Sequence, residues 1–222
     1  MITIPLDVAV RIARRRLSDA GAELILPDDP RRLAVVGLVA AGHALQHTGV
    51  TSEHVDQSVT VTLPGAPGAV ADGLALVPVV GRYLAAIGRG NGRTAVYLSR
   101  AAMTDGVTLL ATVEHELGHV GTIAAGGLVW CGVYLLVPEA RAAGEAPCYG
   151  AGMAVRVACG ASLADVAAEA KRSLGSYGLD APARALADAM VDGVAATIAA
   201  TGDCGGVVAE LRPMLAAEGV TL

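Results

Sequence analysis

Between Glu116 and Glu139 the chain carries no Asp, Glu, Lys or Arg, and this charge-free segment limits the folds that are open to it. Residues 120–137 form an apolar stretch of 18 residues, close to the shortest length that can span a bilayer. Gly126 and Gly127 are adjacent within it and predict that a helix stops there. We therefore expect two helices buried in the core of a globular domain, and not one membrane-spanning helix.

The composition indicates a folded chain that does not bind nucleic acid. Hydrophobic residues make up 54% of the 222 residues and charged residues 17%, which excludes an intrinsically disordered chain. The length fits one domain, or one domain with a modest appendage. Aromatic residues are only 3%, so we expect a core of Ala, Val, Leu and Ile. A net charge of −5, with no basic run longer than Arg14–Arg16, disfavours nucleic-acid binding.

The N-terminus and the cysteines bear on the compartment. Asp7 and Arg11 interrupt the first apolar residues, so we predict no secretory signal. The four cysteines show no C-x-x-C spacing, which argues against a cysteine-rich zinc ribbon. Cys131, Cys148 and Cys159 lie in apolar segments and are interpreted as small core residues. These features together predict reduced thiols and a cytoplasmic protein.

The hydrophobic periodicity predicts an α+β domain that is mostly helical, with a small β-sheet packed against a central helix. The predicted strands cover residues 57–63, 83–88 and 93–99, the last two as a hairpin. The predicted helices cover residues 5–20, 31–47, 104–125, 128–137, 145–158, 162–174, 181–200 and 206–217. We divide the chain into an N-terminal helical segment, residues 1–56, packed on the core, and a main domain, residues 57–222.

The motif that carries chemistry is His-Glu-Leu-Gly-His at residues 115–119, inside a predicted helix. The i, i+4 spacing places His115 and His119 on one helix face, one turn apart, where both imidazoles can bind one metal ion. Glu116 lies beside them, and its carboxylate can take a proton from a water on the metal. Zn²⁺ suits such a site because three protein ligands leave a fourth position open. The pattern predicts a catalytic zinc site.

A second histidine pair, His43 and His47, has the same i, i+4 spacing, and Glu53 and His54 follow shortly after it. This pair could bind another metal ion. No glutamate lies between the two histidines at the position of a general base, so we interpret them as ordinary histidines near a helix end.

Residues 94–150 resemble the zincin metallopeptidases. The resemblance rests on the strand TAVYLS, the helix VTLLATVEHELGHVGT and the acidic helix that follows. Gly121 departs from the family pattern, which usually has a bulkier apolar residue there. Thr122 and Ala125 exclude the branch with a third histidine. The chain is therefore similar to zincins with a glutamate as third ligand, the gluzincin-like enzymes of small bacterial or phage type, and a zincin-like fold is implied for residues 57–222.

A carboxylate is expected as the third metal ligand, because no histidine follows His119. Glu145 begins the sequence Glu-Ala-Pro-Cys-Tyr, which resembles the E-x-x-A-[D/Y] helix that carries the glutamate in many small zincins. Pro147 would then have to lie in the first turn of that helix. Glu139 lies 20 residues after His119, a spacing common in zincins with a glutamate ligand, and stays open as the alternative.

Tyrosines are candidates for a further role at the site. Tyr149 lies one helical turn beyond Glu145, where it could hydrogen-bond a ligand histidine or stabilise the oxyanion of a tetrahedral intermediate. A packing role for Tyr149 is the alternative. Tyr134 and Tyr97 are weaker candidates for the same functions.

The resemblance implies a zinc-dependent peptidase in which Glu116 activates water against a peptide or protein substrate. The strand at residues 96–98 is expected to lie at a sheet edge and to hold an extended peptide by main-chain hydrogen bonds. Two alternatives stay open: a zincin-like structural or assembly protein, for example of a phage, without important proteolysis, and an intramembrane zinc protease. The N-terminal helices are a candidate surface for a protein complex.

Overall fold

The computed structural model describes residues 2–32, 35, 59–64 and 92–222. Its helices are α1 (Leu6–Asp19), α2 (Gly106–Leu136), α3 (Pro138–Ala158), α4 (Leu163–Leu174), α5 (Ala181–Thr201) and α6 (Val207–Ala217). Its strands are β1 (Ala22–Ile25), β2 (Val59–Pro64) and β3 (Gly92–Tyr97). Short 3₁₀ turns cover Ala101–Met103 and Gly175–Tyr177. The chain is mostly helical with a small sheet, which confirms the α+β prediction at this level.

The three described strands form one mixed sheet in the order β1-β3-β2. β3 pairs in parallel with β1, where Leu24 lies opposite Val96, and antiparallel with β2, where Val61 lies opposite Ala95. Residues 95–98 are fully buried or nearly so, as expected of a strand covered on both faces. β3 is therefore flanked on both sides, and the prediction that it forms a peptide-binding edge is wrong.

Helix α2 carries the His-Glu-Leu-Gly-His motif and is capped at its start. The carboxylate of Asp105 accepts hydrogen bonds from the backbone N–H groups of Val107 and Thr108, each at 2.9 Å. At Gly127 the backbone leaves the helical conformation, with φ 52° and ψ −141°, so α2 has two halves. This confirms the break that the sequence predicts at Gly126–Gly127, because glycine readily adopts a positive φ.

The second half of α2 is not buried as predicted. The side chains of Val129 and Leu136 are 77% and 73% exposed, and Val133 and Val137 are also exposed. Trp130 and Tyr134, on the other face, turn towards α3. Among the residues described, none of the helices has the length and apolar character needed to cross a bilayer.

Helix α3 begins earlier than predicted. It starts at Pro138, where proline is well tolerated, and not near Glu145. Pro147 consequently lies in the helix interior, where it lacks the N–H group for one main-chain hydrogen bond, and the prediction that it occupies a first turn is wrong. Glu145 thus projects from the middle of an ordered helix and not from its end.

Two hydrophobic clusters form the core. The first is built mainly from α1, β1, β3, α2 and α6, with Val155 of α3, and the second from α3, α4, α5 and α6. Among the elements that the structure describes, α2 and α3 pack against each other most extensively. The predicted helices 162–174, 181–200 and 206–217 agree with α4, α5 and α6 to within one residue.

Several predictions fall outside the described residues. These are most of the helix 31–47, the strand 83–88 and the boundary between residues 56 and 57. The domain division therefore stays a prediction. Within the described part of the segment 1–56, α1 packs on α2, and β1, which the sequence analysis did not predict, joins the sheet beside β3.

Candidate metal centre

His115 and His119 lie on the first half of α2 with their rings facing one another. Their Nε2 atoms are 3.2 Å apart, and the ring centroids are 5.0 Å apart. Both side chains are mostly buried, with 13% and 14% of their surfaces exposed. The i, i+4 spacing therefore places both imidazoles where the sequence predicted, at a single point on the helix face.

Glu145 reaches the same point from α3. Its Oε2 atom lies 3.4 Å from Nε2 of His115, and its Oε1 atom lies 3.4 Å from Nε2 of His119. One ligand atom from each of the three side chains falls within 4.8 Å of the others, so the group could hold a metal ion. Glu139 is exposed in the first turn of α3 and does not belong to this group.

The chemistry of the three side chains fits a cation. Glu145 is 2% exposed, and its buried Oε2 atom has no hydrogen-bond partner. Burial alone would raise the pKa of Glu145, but the imidazoles of His119 and His115 outweigh burial and hold it well below its usual range. A buried anionic oxygen without a partner is costly, and a bound cation would remove that cost.

Two neighbours support the ligands. The hydroxyl of Tyr134 donates a hydrogen bond to Oε1 of Glu145. The Sγ atom of Cys148 lies 3.8 Å from Nδ1 of His119 and donates to the carbonyl of Gly144 at 3.1 Å. A contact at Nδ1 favours the tautomer in which Nε2 is free to bind a metal.

Arg141 connects the segments around the centre. Its guanidinium is buried, with the whole residue 4% exposed, and it donates to four main-chain carbonyls. Two of these carbonyls belong to Tyr134 and Leu135 at the end of α2. The other two belong to Tyr177 and Gly178, which follow α4. The sequence analysis missed this residue, because its partners are main-chain carbonyls that only the fold brings together.

Glu114 supports the motif from behind and was also missed. It is 2% exposed and accepts two hydrogen bonds from Arg16 of α1, at 2.8 and 2.7 Å. Arg16 also pairs with Glu210 of α6. Burial raises the pKa of Glu114, and Arg16 opposes this shift. Arg16 therefore connects α1, α2 and α6 next to His115, the residue that follows Glu114.

A cleft of about 610 Å³ opens on the face of the centre that carries Glu116. Glu116 is 4% exposed and lines the cleft together with His115 and Tyr149. The opposite wall comes from α4 and from Tyr177. The cleft therefore places the predicted general base, one predicted metal ligand and the candidate tyrosine around one volume.

Tyr149 stands against His115 within this cleft. The two ring centroids are 4.6 Å apart with the rings nearly perpendicular, and the hydroxyl lies 3.5 Å from that of Tyr177. Burial raises the pKa of Tyr149 to about 12, so its hydroxyl keeps its proton at neutral pH and can donate it in a hydrogen bond. Tyr97, the other weak candidate, is buried in β3 and does not line the cleft.

The remaining candidates have separate outcomes. Cys148 and Cys159 are buried and free, as predicted, whereas Cys204 is free and half-buried. The side chain of Cys131 and the pair His43 and His47 lie outside the described residues.

No protein-family model matches this chain, and no curated protein or solved structure matches it either.

Proposed function

We propose that this protein is a zinc-dependent peptidase. The observation that carries the proposal is the convergence of His115, His119 and Glu145, with Glu116 beside them on the cleft side. The histidines were expected from a local motif, whereas the approach of Glu145 depends on how two helices pack. A donor set of two imidazoles and one carboxylate, with a fourth side open, is typical of catalytic zinc sites.

Glu116 would act as the general base. Glu116 follows His115 on α2 and lines the cleft, and it does not belong to the group of candidate ligands. Bound zinc would supply Lewis-acid chemistry, polarising a carbonyl oxygen and lowering the pKa of water to about 7. Glu116 would accept the proton released and deliver it to the leaving amine.

Tyr149 would assist from the same side. Because its hydroxyl stays protonated, it can donate a hydrogen bond to a carbonyl oxygen as negative charge develops there. Tyr177, 3.5 Å away, holds the hydroxyl near that position.

The substrate would bind between helices and not along β3. β3 already pairs on both sides, so it offers no free main-chain edge. The cleft is walled by α2, α3 and α4, with Arg156 and Glu169 forming an ion pair of 2.9 Å on its lining. A peptide would therefore be bound mainly by side chains of the cleft, and less by main-chain hydrogen bonds to a strand.

The test is hydrolysis of a denatured, fluorescently labelled protein by the zinc-loaded chain. We expect Glu116→Gln to keep zinc and fold but to lower kcat by about 100-fold or more, because the amide cannot accept the proton. Glu139→Gln, an exposed glutamate on α3, is the matched control and should leave the rate unchanged. Equal rates for Glu116→Gln and wild type would overturn the role of Glu116. A zinc-loaded wild type without hydrolysis would favour a structural or assembly role.

A further inference from the structure

We propose that Tyr134 makes Glu145 a monodentate metal ligand. The Tyr134 hydroxyl would hold Oε1 by a hydrogen bond and leave Oε2 to bind the ion. Tyr134 is thus a positioning residue, and the inference rests on the proposed zinc centre. Nothing in the motif at residues 115–119 requires such a residue.

The two oxygens of Glu145 are not equivalent. Oε1 accepts the hydrogen bond from the Tyr134 hydroxyl, whereas the buried Oε2 has no hydrogen-bond partner. Bidentate binding of the ion by Glu145 would require Oε1 to turn from the phenol towards the ion. Glu145 is buried and Tyr134 is half-buried, and breaking that bond would leave the phenol hydroxyl without its carboxylate partner, which is unfavourable.

The position of Tyr134 is itself determined by its surroundings. The second half of α2 folds towards α3 after the break at Gly127. The indole of Trp130 lies so close to Gly144 that a Cβ atom there would be 3.0 Å from Cζ2. Arg141 donates to the carbonyl oxygens of Tyr134 and Leu135, at 3.2 and 2.8 Å. Arg141 thus fixes the main chain at Tyr134, and the contact of Trp130 with α3 fixes the helix that carries the phenol.

The consequence concerns coordination number. With two imidazoles and one carboxylate oxygen as protein ligands, a bound ion would have a low coordination number and would keep a position open for water or substrate. A bidentate carboxylate would occupy one more coordination position of the ion. Tyr134 would therefore act on the reaction through Glu145, without touching the substrate.

The experiment compares zinc affinity and cobalt spectra of wild type, Tyr134→Phe and Tyr177→Phe. Zinc affinity is measured by competition with a chelator, and the visible absorption of Co²⁺-substituted protein reports coordination number. We expect Tyr134→Phe to bind zinc about 10- to 100-fold more weakly, the usual effect of losing a group that holds a ligand. Its cobalt absorption should weaken as coordination number rises. Tyr177→Phe removes a hydroxyl that contacts Tyr149 and not Glu145, so both readouts should match wild type.

The outcomes separate this inference from the proposed function. If wild type binds zinc but Tyr134→Phe shows the same affinity and cobalt spectrum, Tyr134 does not position Glu145 and only this inference fails. If Tyr177→Phe changes both readouts as much as Tyr134→Phe does, the effect is not specific to the Glu145 contact and the inference also fails. If wild type binds neither metal, both the zinc centre and the inference are wrong. Circular dichroism confirms that each variant is folded.

Discussion

At the metal centre, helices α2 and α3 approach one another closely because two glycines face the partner helix. A Cβ atom on Gly118 would lie 2.6 Å from Sγ of Cys148, and one on Gly152 would lie 2.9 Å from the carbonyl oxygen of Ala111. Gly118 lies between the motif residues Leu117 and His119. The spacing of the ligands thus depends on residues that bind nothing themselves.

This close packing gives a prediction at Gly118. We expect Gly118→Ala to destabilise the protein by about 1–3 kcal/mol, the usual cost of overpacking, despite the better helix propensity of alanine. In a Cys148→Ala background the same change should cost less, because the clashing sulfur is gone and the Cβ of residue 148 lies at 3.4 Å. Urea unfolding of the four proteins measures the coupling, and an equal cost in both backgrounds would contradict it.

Residue spacing explains which site residues the sequence could predict. His115, Glu116 and His119 lie within one helical turn or so, and local geometry brings the two ligands together whatever the rest of the chain does. Glu145 was preferred over Glu139 by resemblance to a helix pattern, and the structure places Glu145, not Glu139, in the group that could hold a metal ion. Tyr134 and Arg141 act through the fold of the second half of α2, which no local pattern encodes.

At the scale of the elements, α1 contacts α2 through an ion pair at Glu114, next to the motif. Arg16 donates two hydrogen bonds to buried Glu114 and contacts Glu210 of α6. Removing one partner of a buried ion pair leaves an uncompensated charge, which is far more costly than losing an exposed pair. The three helices are therefore connected at one point, one residue before His115.

We expect Arg16→Ala to lower the free energy of unfolding by about 3–5 kcal/mol, because Glu114 is then buried without its partner. Arg11→Ala is the matched control, since Arg11 is on the same helix and pairs with Asp7 and Glu218 at the surface. Thermal unfolding followed by circular dichroism would compare them. If the two substitutions lowered stability equally, the pair behind the motif would have no special importance.

The elements also show why some boundaries were wrong. Helices α4, α5 and α6 follow clear apolar periodicity and capping residues such as Ser162 and Asp180, so their ends were predictable. Pro147 was interpreted as a helix start because proline usually disrupts a helix interior. The packing of α3 against α2 and α5 outweighs that local preference. The central place of β3 likewise depends on β1, a four-residue strand with too weak a pattern to predict.

For the whole molecule, the centre lies where the two hydrophobic clusters meet. His115 and His119 belong to α2, which packs in the first cluster, and Glu145 belongs to α3, which packs mainly in the second. An ion held by all three side chains would cross-link the clusters. Because such an ion binds only the folded chain, zinc should raise the melting temperature of the protein.

The most direct test of the account is a zinc titration of wild type, Glu145→Ala and Glu139→Ala against a competing chelator. We predict one zinc ion per wild-type chain and an unchanged affinity for Glu139→Ala, because that glutamate is exposed and outside the ligand group. Glu145→Ala should lose more affinity than the roughly 10- to 100-fold that removal of a supporting residue costs. Tight binding by Glu145→Ala, or its loss in Glu139→Ala, would contradict the assignment of the third ligand, and a folded wild type that binds no zinc would contradict the metal centre itself.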